Sequence, residues 1–528
     1  MKKRGGFQLR FWIIIISFLL EVATVVGFIV LVVLTSFDDR ILWIPLTLMA
    51  LFDFSLGLFI ANSKVEASYK ISWLAVVICL PFIGGIFYLL FANKITTKKK
   101  RQQRYNVVDE FMLKNRPDST SVIKEISSQN NDAGNIAQYI YNNAFNGVYK
   151  NSSLEYYKIG DLSKKPIVDE LKKAKRFIFI EYFIMQSGDF FDAIFDVLKE
   201  KASQGIDVRM IYDDFGCSSK MSSFFYVEVR KAGIKCYPFN ILRPTMDMRQ
   251  NNRDHRKIII IDGVTAFTGG INLADEYINI SSKFGLWKDN CIMIKGEAAN
   301  GLTNIFLSNW GVVAKDKKKS SNGLVSSIGF SYLENKDLDI RDNKFPSGYM
   351  APFGEEPFDG EETARNVFLM LISRATKYVY ISTPYLIPDE ELITALGLAA
   401  KSGVDVRIIT PGIPDKKIIY QCTRSYYYLL HMNKVKIFEF IPGFNHEKLI
   451  VVDGIMSVTG TINFDFRSMY LHYEDGVFFY GDNVVKEMDQ DIKDMLNVSK
   501  EVNYKKYYHA SWIRRLWWSI LRVLAPLF

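Results

Sequence analysis

The sequence predicts an α/β protein built from two pseudo-symmetric βα halves with mixed or parallel sheets. The halves share one composite active site and follow N-terminal transmembrane helices. A strand–helix–strand pattern occurs twice in the chain, and each copy leads into the same spaced set of polar residues, which predicts the two halves. The membrane part is predicted because residues 1–95 are far more apolar than the rest.

The composition is that of a folded protein with several domains. The chain has 528 residues, of which 49% are hydrophobic and 23% charged, and this excludes a disordered, collagenous or coiled-coil chain. The formal net charge is +9, and much of the basic excess lies next to apolar segments. This placement favours anionic membrane lipid over nucleic acid as the partner. The five cysteines are scattered and lack CxxC spacing, so we expect free thiols.

Residues 1–95 are expected to form two or three transmembrane helices at the cell membrane. Residues 11–35 and 71–93 are each long enough to span a bilayer, and the run between them, 41–62, is weaker because it carries Asp53. Such an Asp either serves a function in the helix bundle or pairs locally.

Basic clusters flank these apolar runs and bear on the membrane topology. The clusters are Lys2, Lys3, Arg4 and Arg10 before the first run, and Lys94, Lys98, Lys99, Lys100, Arg101 and Arg104 after the last. The positive-inside rule places both in the cytoplasm, which requires an even number of crossings. The middle run is therefore either re-entrant or interfacial, or it is a third span that overrides the rule. We expect the catalytic part to face the cytoplasm.

The C-terminal segment, 501–528, is amphipathic. At helical spacing one side carries Ile513, Leu516, Trp517, Ile520 and Leu524, and another carries Arg515, Ser519 and Arg522. This pattern predicts an in-plane interfacial helix with Trp at headgroup depth and Arg facing phosphates. The alternative is an ordinary amphipathic helix docked on the protein's own core. Three Trp and three Arg in so short a stretch favour the lipid interface.

The internal repeat sets the domain boundaries. RFIFIEYFI near residue 176 is followed by the helical stretch DFFDAIFDVLKEKASQG and the strand IDVRMIY, and KYVYIS near residue 377 by DEELITALGLAAKSG and VDVRIIT. This alternation predicts βαβ units and a mostly parallel sheet. The halves are assigned to residues 151–313 and 359–500, joined by an insertion at 314–358 and preceded by a juxtamembrane linker at 96–150.

Each half contains the same motif, DHRKIIIIDGVTAFTGGINLADEY in the first and NHEKLIVVDGIMSVTGTINFDFRS in the second. The shared positions are His255, Lys257, Asp262, Gly263, Gly269 and Asn272, and then His446, Lys448, Asp453, Gly454, Gly460 and Asn463. The chance that one His has Lys at +2 and Asp at +7 is about 0.004 from average residue usage. Two of only five histidines satisfy it.

The spacing of the motif fits a site that grips a phosphoryl group. His and Lys two residues apart in a strand point to the same face, and Asp-Gly supplies a tight turn into a returning strand. Two copies that face each other would place two Lys and two Asn around one phosphorus, with a His on either side. The alternative, in which each His is a core residue and each Lys a surface charge, is disfavoured by the matched copies.

These paired motifs resemble the HxKxxxxD motifs of the phospholipase D superfamily over residues 130–500. The apolar runs and the phrases YDDFGC, NNRDHRK, GLWKD, STPYLIPDE and NFDFRS resemble bacterial cardiolipin synthases in particular. The resemblance implies a cofactor-free enzyme that joins two phosphatidylglycerols into cardiolipin and releases glycerol. The alternative enzymes are a phospholipase D and a phosphatidyltransferase that uses another acceptor alcohol. A nuclease is disfavoured by the predicted membrane spans. A non-catalytic lipid-binding scaffold is the remaining alternative.

The resemblance further implies two-step transfer through a covalent phosphohistidine. His255 is expected to be the nucleophile and His446 the general acid and base, although the reverse assignment stays open. Charge on the phosphate oxygens would be stabilised by Lys257, Lys448, Asn272 and Asn463. No metal is expected, because the two Lys supply the positive charge.

Carboxylates complete the set of candidate residues. In the family the carboxylate that orients each His lies about 25–35 residues downstream, and Asp289 and Glu474 stand at +34 from His255 and +28 from His446. Asp262 and Asp453 belong to the catalytic motifs by position, but we expect them to anchor strand ends. The sequence departs from the usual W-[RK]-D-x-H pattern, because Cys291 replaces the final His.

Overall fold

The computed structural model describes residues 39–63, 65–92, 112–242, 248–281, 283–314, 348–357 and 360–527. The predicted first span, residues 11–35, lies outside these residues. The described chain begins with three helices, α1 (Asp39–Ala61), α2 (Ala67–Cys79) and α3 (Ile83–Phe91). Among the helices of the described residues, none combines the length and the apolar character needed to cross a membrane.

The apolar run 71–93 is divided between α2 and α3 instead of forming one helix. The chain turns at Pro81, and Phe82 has a φ of 65°, which ends the helical path. The carboxylate of Asp53 on α1 accepts the backbone N–H of Phe82 at 2.7 Å. Asp53 therefore pairs locally, which was one of the two alternatives for this residue.

Residues 112–150, part of the predicted linker, include two helices of the folded core. These are α4 (Thr120–Gln129) and α5 (Asn131–Asn143). Their few apolar side chains, such as Ile126 and Ile136, are fully buried against the second half. The linker prediction was wrong here because most residues of both helices are polar and only one narrow stripe is apolar.

The first half contains helices, a seven-stranded mixed sheet and one further strand, β7, that lies outside this sheet. Its elements are β1 (Ser152–Tyr157), α6 (Lys164–Lys172), β2 (Phe177–Tyr182), α7 (Asp189–Ser203), β3 (Asp207–Asp213), α8 (Asp214–Ser218), α9 (Phe225–Lys231), β4 (Lys235–Phe239), β5 (Lys257–Ile261), β6 (Thr265–Gly269), β7 (Leu286–Lys288), β8 (Cys291–Gly296) and α10 (Ala299–Val313). The strand order is β1-β8-β6-β5-β2-β3-β4, in which β2, β3 and β4 are parallel and the other pairs antiparallel.

The second half repeats this arrangement. Its elements are β9 (Tyr349–Glu355), α11 (Thr363–Ser373), β10 (Tyr378–Ser382), α12 (Glu390–Lys401), β11 (Asp405–Pro411), α13 (Lys417–Met432), β12 (Lys436–Phe440), β13 (Gly443–Asn445), β14 (Leu449–Val452), β15 (Met456–Gly460), α14 (Phe466–Tyr470), β16 (Glu474–Tyr480), α15 (Asp482–Asn497) and β17 (Ser499–Glu501), followed by α16 (Lys505–Tyr508) and α17 (Trp512–Leu524). The order β17-β12-β11-β10-β14-β15-β16-β9 matches the first sheet strand for strand, with β17 added. The pseudo-symmetry predicted from the repeat is therefore present.

The second sheet begins earlier than the sequence suggested. Strand β9, which lies within the segment assigned to the insertion, is the edge strand beside β16. Pro352 interrupts its pattern, and proline is tolerated in edge strands.

One hydrophobic core joins the two halves. Helix α10 is buried on nearly every side and contributes Phe306 and Trp310. It shares this core with strands of both sheets and with Met488 of α15. The shared core brings β5 and β14, which follow the two motif histidines, to the centre of the molecule.

Candidate active site

Each motif folds as a tight hairpin, β5–β6 in the first half and β14–β15 in the second. Asp262 and Gly263 have φ values of 56° and 74°, and Asp453 and Gly454 have values of 55° and 74°. Three residues separate the last paired positions of each hairpin, Ile261 and Thr265 or Val452 and Met456, and the first two of the three adopt the positive φ that Asp and Gly tolerate. The Asp-Gly dipeptide therefore explains why each motif reverses direction at this point.

The two motif aspartates anchor the strands and lie at the opposite strand end from the histidines. The Asp262 carboxylate accepts the backbone N–H groups of Lys175, Arg176 and Phe177 at 2.7–2.9 Å. The Asp453 carboxylate accepts those of residues 376–378, each at 2.8 Å. Both carboxylates fix the start of β2 and β10, which agrees with the expected anchoring role, and the catalytic role assigned to them by position remains a prediction.

The structure brings His255 and His446 into one site in which each histidine contacts a carboxylate of the opposite half. Nδ1 of His255 lies 2.8 Å from Oε2 of Glu474, and Nδ1 of His446 lies 2.6 Å from Oδ2 of Asp289. All four side chains are buried. The expected pairing of each histidine with the carboxylate downstream in its own half is wrong, since the partners are exchanged.

Backbone hydrogen bonds between the halves cause this exchange. The His255 N–H donates to the Tyr473 carbonyl at 2.8 Å, and the His446 N–H donates to the Lys288 carbonyl at 2.7 Å. Tyr473 and Lys288 immediately precede Glu474 and Asp289 in the chain. Each histidine is therefore held beside the carboxylate that follows its backbone partner.

A buried ion pair reinforces the crossing on one side of the site. Nζ of Lys288 lies 2.7 Å from Glu447 and 2.8 Å from Asp491, and all three side chains are at most 7% exposed. Glu447 follows His446 directly, and Lys288 precedes Asp289. Removing one partner would leave an uncompensated buried charge, so all three side chains are needed together at this contact between the halves.

The motif lysines lie next to their own histidines. Nζ of Lys257 donates to the His255 carbonyl at 2.6 Å, and Nζ of Lys448 donates to the His446 carbonyl and lies 2.8 Å from His446 Nδ1. Burial lowers the pKa of Lys257 to about 7 and that of Lys448 to about 8. A bound anion would favour the charged lysines, so the site is suited to a phosphate group.

The protonation states suit a nucleophilic imidazole. Burial lowers the pKa of His255 to about 3, against the opposing charge of Glu474, and burial also lowers the pKa of His446. Burial raises the pKa of Asp289 to about 6, whereas the charge and hydrogen bond of His255 outweigh burial and lower the pKa of Glu474. The lowered pKa of His255 favours its neutral imidazole, and the lowered pKa of Glu474 favours an ionised carboxylate beside it. A proton held on Nδ1 by the carboxylate leaves Nε2 as the nucleophilic atom.

The two motif asparagines are buried and follow the hairpins. Oδ1 of Asn272 accepts the backbone N–H of Ile184 at 3.0 Å, which fixes the orientation of its amide. Oδ1 of Asn463 is buried and has no hydrogen-bond partner among the described residues. Their role in binding phosphate remains a prediction.

His472 is a residue of the site that the sequence reasoning missed. Its ring centroid lies 5.6 Å from that of His255, and its Nδ1 lies 3.7 Å from Glu474 Oε1, beyond hydrogen-bond distance. Both ring nitrogens are buried without a hydrogen-bond partner among the described residues. A signal was present, since His472 stands two residues before Glu474 and residues at this spacing share one side of an extended chain.

His255, His472 and Glu474 are the described residues with a spacing that could hold a metal ion. One ligand atom from each lies within 4.8 Å of the others. Lys257, two residues from His255, adds positive charge that opposes a bound cation. The expectation that no metal takes part remains a prediction.

Comparison with known protein families shows to which family this chain belongs. A family model described as "Cardiolipin synthase, PLD-like domain" matches residues 167–310 and 368–496, more than half of the chain. The chain belongs to this family. A second model, "Phospholipase_D-nuclease N-terminal", matches residues 46–93.

Two cardiolipin synthases are similar to this chain over most of its length. A cardiolipin synthase of Geobacillus thermodenitrificans is 32% identical, with 88% of this chain and 89% of the relative covered. Cardiolipin synthase 2 of Bacillus anthracis is 32% identical over 90% of both chains. Among solved structures, phosphatidylserine synthase from Haemophilus influenzae has a TM-score of 0.52 at 16% identity, covering 70% of this chain and 92% of that one, which shows a shared fold alone.

Proposed function

We propose that this protein is a cardiolipin synthase that transfers the phosphatidyl group of one phosphatidylglycerol to another, giving cardiolipin and glycerol. The observation that carries the proposal is the crossed pair of buried histidines, each beside a carboxylate of the other half and a lysine of its own. The two named relatives are cardiolipin synthases, and this chain matches them over most of their length, which supports the choice of substrate.

In the first step, Nε2 of His255 attacks the phosphorus of phosphatidylglycerol and forms a P–N bond. The P–O bond to the headgroup glycerol breaks, and His446, which is in its protonated form at this step, donates that proton to the departing glycerol oxygen. Lys257 and Lys448 stabilise the charge that builds up on the non-bridging oxygens. Glu474 stabilises the positive charge that develops on the phosphorylated imidazole.

In the second step, a glycerol hydroxyl of another phosphatidylglycerol attacks the phosphorus. His446 takes the proton of this hydroxyl, the P–O bond forms and the P–N bond to His255 breaks, which restores both histidines. Water could attack in the same way and would give phosphatidic acid. The ratio of the two products therefore reports how well the acceptor lipid excludes water.

We further propose that the enzyme acts at the cell membrane with its catalytic part on the cytoplasmic side. The basic clusters on both sides of the apolar runs support this orientation. The lipid nature of both substrates requires a site close to a bilayer.

Lipid product analysis tests the function. The purified full chain is incubated with phosphatidylglycerol vesicles, and the lipids and glycerol are separated and quantified. Cardiolipin with an equal amount of glycerol is the expected result, and the matched His446→Ala protein should give neither. Phosphatidic acid as the sole lipid product would instead indicate a phospholipase D, and no product would indicate a lipid-binding scaffold.

A further inference from the structure

The C-terminal helix α17 is fixed to the second half by one side. Trp518 and Leu521 are buried in the core of that half, and Trp518 stacks on Tyr507 at 5.5 Å. Nη1 of Arg522 donates to the Ser425 carbonyl of α13 at 3.2 Å. The helix therefore has a defined orientation relative to the catalytic domain. This agrees with the alternative in which an amphipathic helix docks on the protein's own core.

The other side of α17 exposes large apolar side chains to solvent. The exposed fractions are Trp512 73%, Ile513 62%, Leu516 53%, Trp517 46% and Ile520 40%. Residues three and four positions apart along a helix lie side by side, so these five side chains form a continuous stripe, which we name the C-terminal apolar face. A contiguous apolar face of this kind marks a binding surface, because leaving it in water costs about 25 cal/mol for each Å².

This face adjoins the N-terminal helices, which also expose apolar side chains. Oγ of Ser72 on α2 donates to the carbonyl of Val523 on α17, so the helices pack as one body. On α1, Phe54 and Phe59 are 66% and 64% exposed. Apolar exposure thus continues from α17 onto the helices that begin the described chain.

The charge around the C-terminal apolar face favours an anionic surface. Residues 502–528 contain no Asp or Glu, and their basic residues are Lys505, Lys506, Arg514, Arg515 and Arg522. A second copy of the chain would bring the same positive charge against itself, which disfavours a dimer through this face. Basic residues near an anionic leaflet each contribute about 1 kcal/mol, and Trp is enriched at headgroup depth.

We propose that the C-terminal apolar face lies in the plane of an anionic bilayer and holds the catalytic domain on it. This is a binding site for a lipid surface that is separate from the phosphate site, and it deepens the proposed function by naming the surface from which lipid substrate is drawn. Phe466 and Leu471 connect the membrane-facing helices with the phosphate site. They pack against α1 and α2, and they flank Ser468, whose Oγ donates to Glu474 at 2.7 Å. Docking of the helices therefore supports the loop that carries the site.

A local probe tests this proposal in the full chain. Of the five cysteines, Cys79 is exposed and the other four are buried. In a Cys79→Ser background, an environment-sensitive fluorophore is attached to Leu516→Cys on the apolar face. The matched control is Ser519→Cys, an exposed position at the polar edge of the same helix, about 60° around the axis from Leu516. Each protein is mixed with vesicles of phosphatidylglycerol or phosphatidylcholine whose acyl chains carry bromine as a quencher.

We expect at least twofold stronger quenching at position 516 than at 519 in phosphatidylglycerol vesicles, and weaker quenching at 516 in phosphatidylcholine. Equal quenching at both positions, or a 516 probe that is shielded from the bilayer by a second copy or by residues 1–38, would overturn the proposal. Equal quenching in the two lipids would overturn the assignment to an anionic surface. The measurement needs no turnover, so its failure would leave the proposed transfer reaction intact.

Discussion

Replacing Glu474 by Gln tests the crossed histidine–carboxylate pairs. The substitution keeps the size of the side chain and an acceptor for the Ser468 hydroxyl, but it removes the charge 2.8 Å from Nδ1 of His255. Two unit charges about 4 Å apart interact by about 4 kcal/mol at an effective dielectric constant of about 20. The imidazole of His255 becomes positively charged when it attacks phosphorus, so the substitution removes this stabilisation from the transition state. We expect the turnover number to fall about 10³-fold.

The assay is release of radiolabelled glycerol from phosphatidylglycerol in vesicles, with Asp489→Asn as a matched control. The carboxylate of Asp489, on α15, accepts a hydrogen bond from the Tyr378 hydroxyl at 2.7 Å, and the change should leave turnover within about twofold. Turnover of Glu474→Gln within tenfold of the parent protein would refute the reasoning. The melting temperature of each variant separates lost chemistry from lost folding.

A double-mutant cycle tests the crossing itself. His255→Ala and Glu474→Gln should show an interaction energy of about 1.5–3 kcal/mol in unfolding, the range for a hydrogen bond to a charged group. His255→Ala and Asp289→Asn should be additive within about 0.5 kcal/mol. The reverse pattern would mean that each histidine pairs within its own half.

Three further outcomes follow from the structure. Burial lowers the pKa of Lys257 to about 7 and that of Lys448 to about 8, whereas a bound anion needs both charged. Calorimetric binding of inorganic phosphate should therefore take up protons and weaken above pH 8 by up to about tenfold per pH unit for each lysine, and affinity that does not change with pH would contradict this. Asp453→Asn should lower unfolding free energy by about 1–3 kcal/mol in chemical denaturation while the folded protein keeps its turnover; a stable but inactive variant would argue for a catalytic role. His472→Leu removes a buried imidazole that makes no hydrogen bond to the described residues and lies 3.7 Å from Glu474, so the melting temperature should stay unchanged or rise, and a clear decrease would contradict this.

The duplicated architecture was predictable because the repeat is written in local patterns. Alternating strands and helices, the buried IIII run of β5 and the Asp-Gly turns each act over a few residues. The site residues on those strands, His255, Lys257, His446 and Lys448, were therefore predictable as a set. Their meeting in one site required only that two matched halves pack together.

The exchange of carboxylates was not predictable, because spacing along the chain carries no information about how the halves are placed. The distance from His255 to Asp289 is 34 residues and that to Glu474 is 219, yet the nearer residue in the chain is not the partner. Backbone bonds to Tyr473 and Lys288, formed only when the halves associate, decide the outcome. Helices α4 and α5 were missed for a different reason, since their polar majority is typical of a linker.

Trapping of the covalent intermediate tests the central claim most directly. The full chain is mixed with phosphatidylglycerol labelled with ³²P, quenched at alkaline pH, at which phosphohistidine survives, and digested to locate the labelled peptide. We predict one labelled histidine, His255, and a label that moves into cardiolipin when unlabelled phosphatidylglycerol is added. Label on His446 would reverse the two roles within the same site. Protein that turns over but carries label on neither histidine would contradict the shared catalytic site.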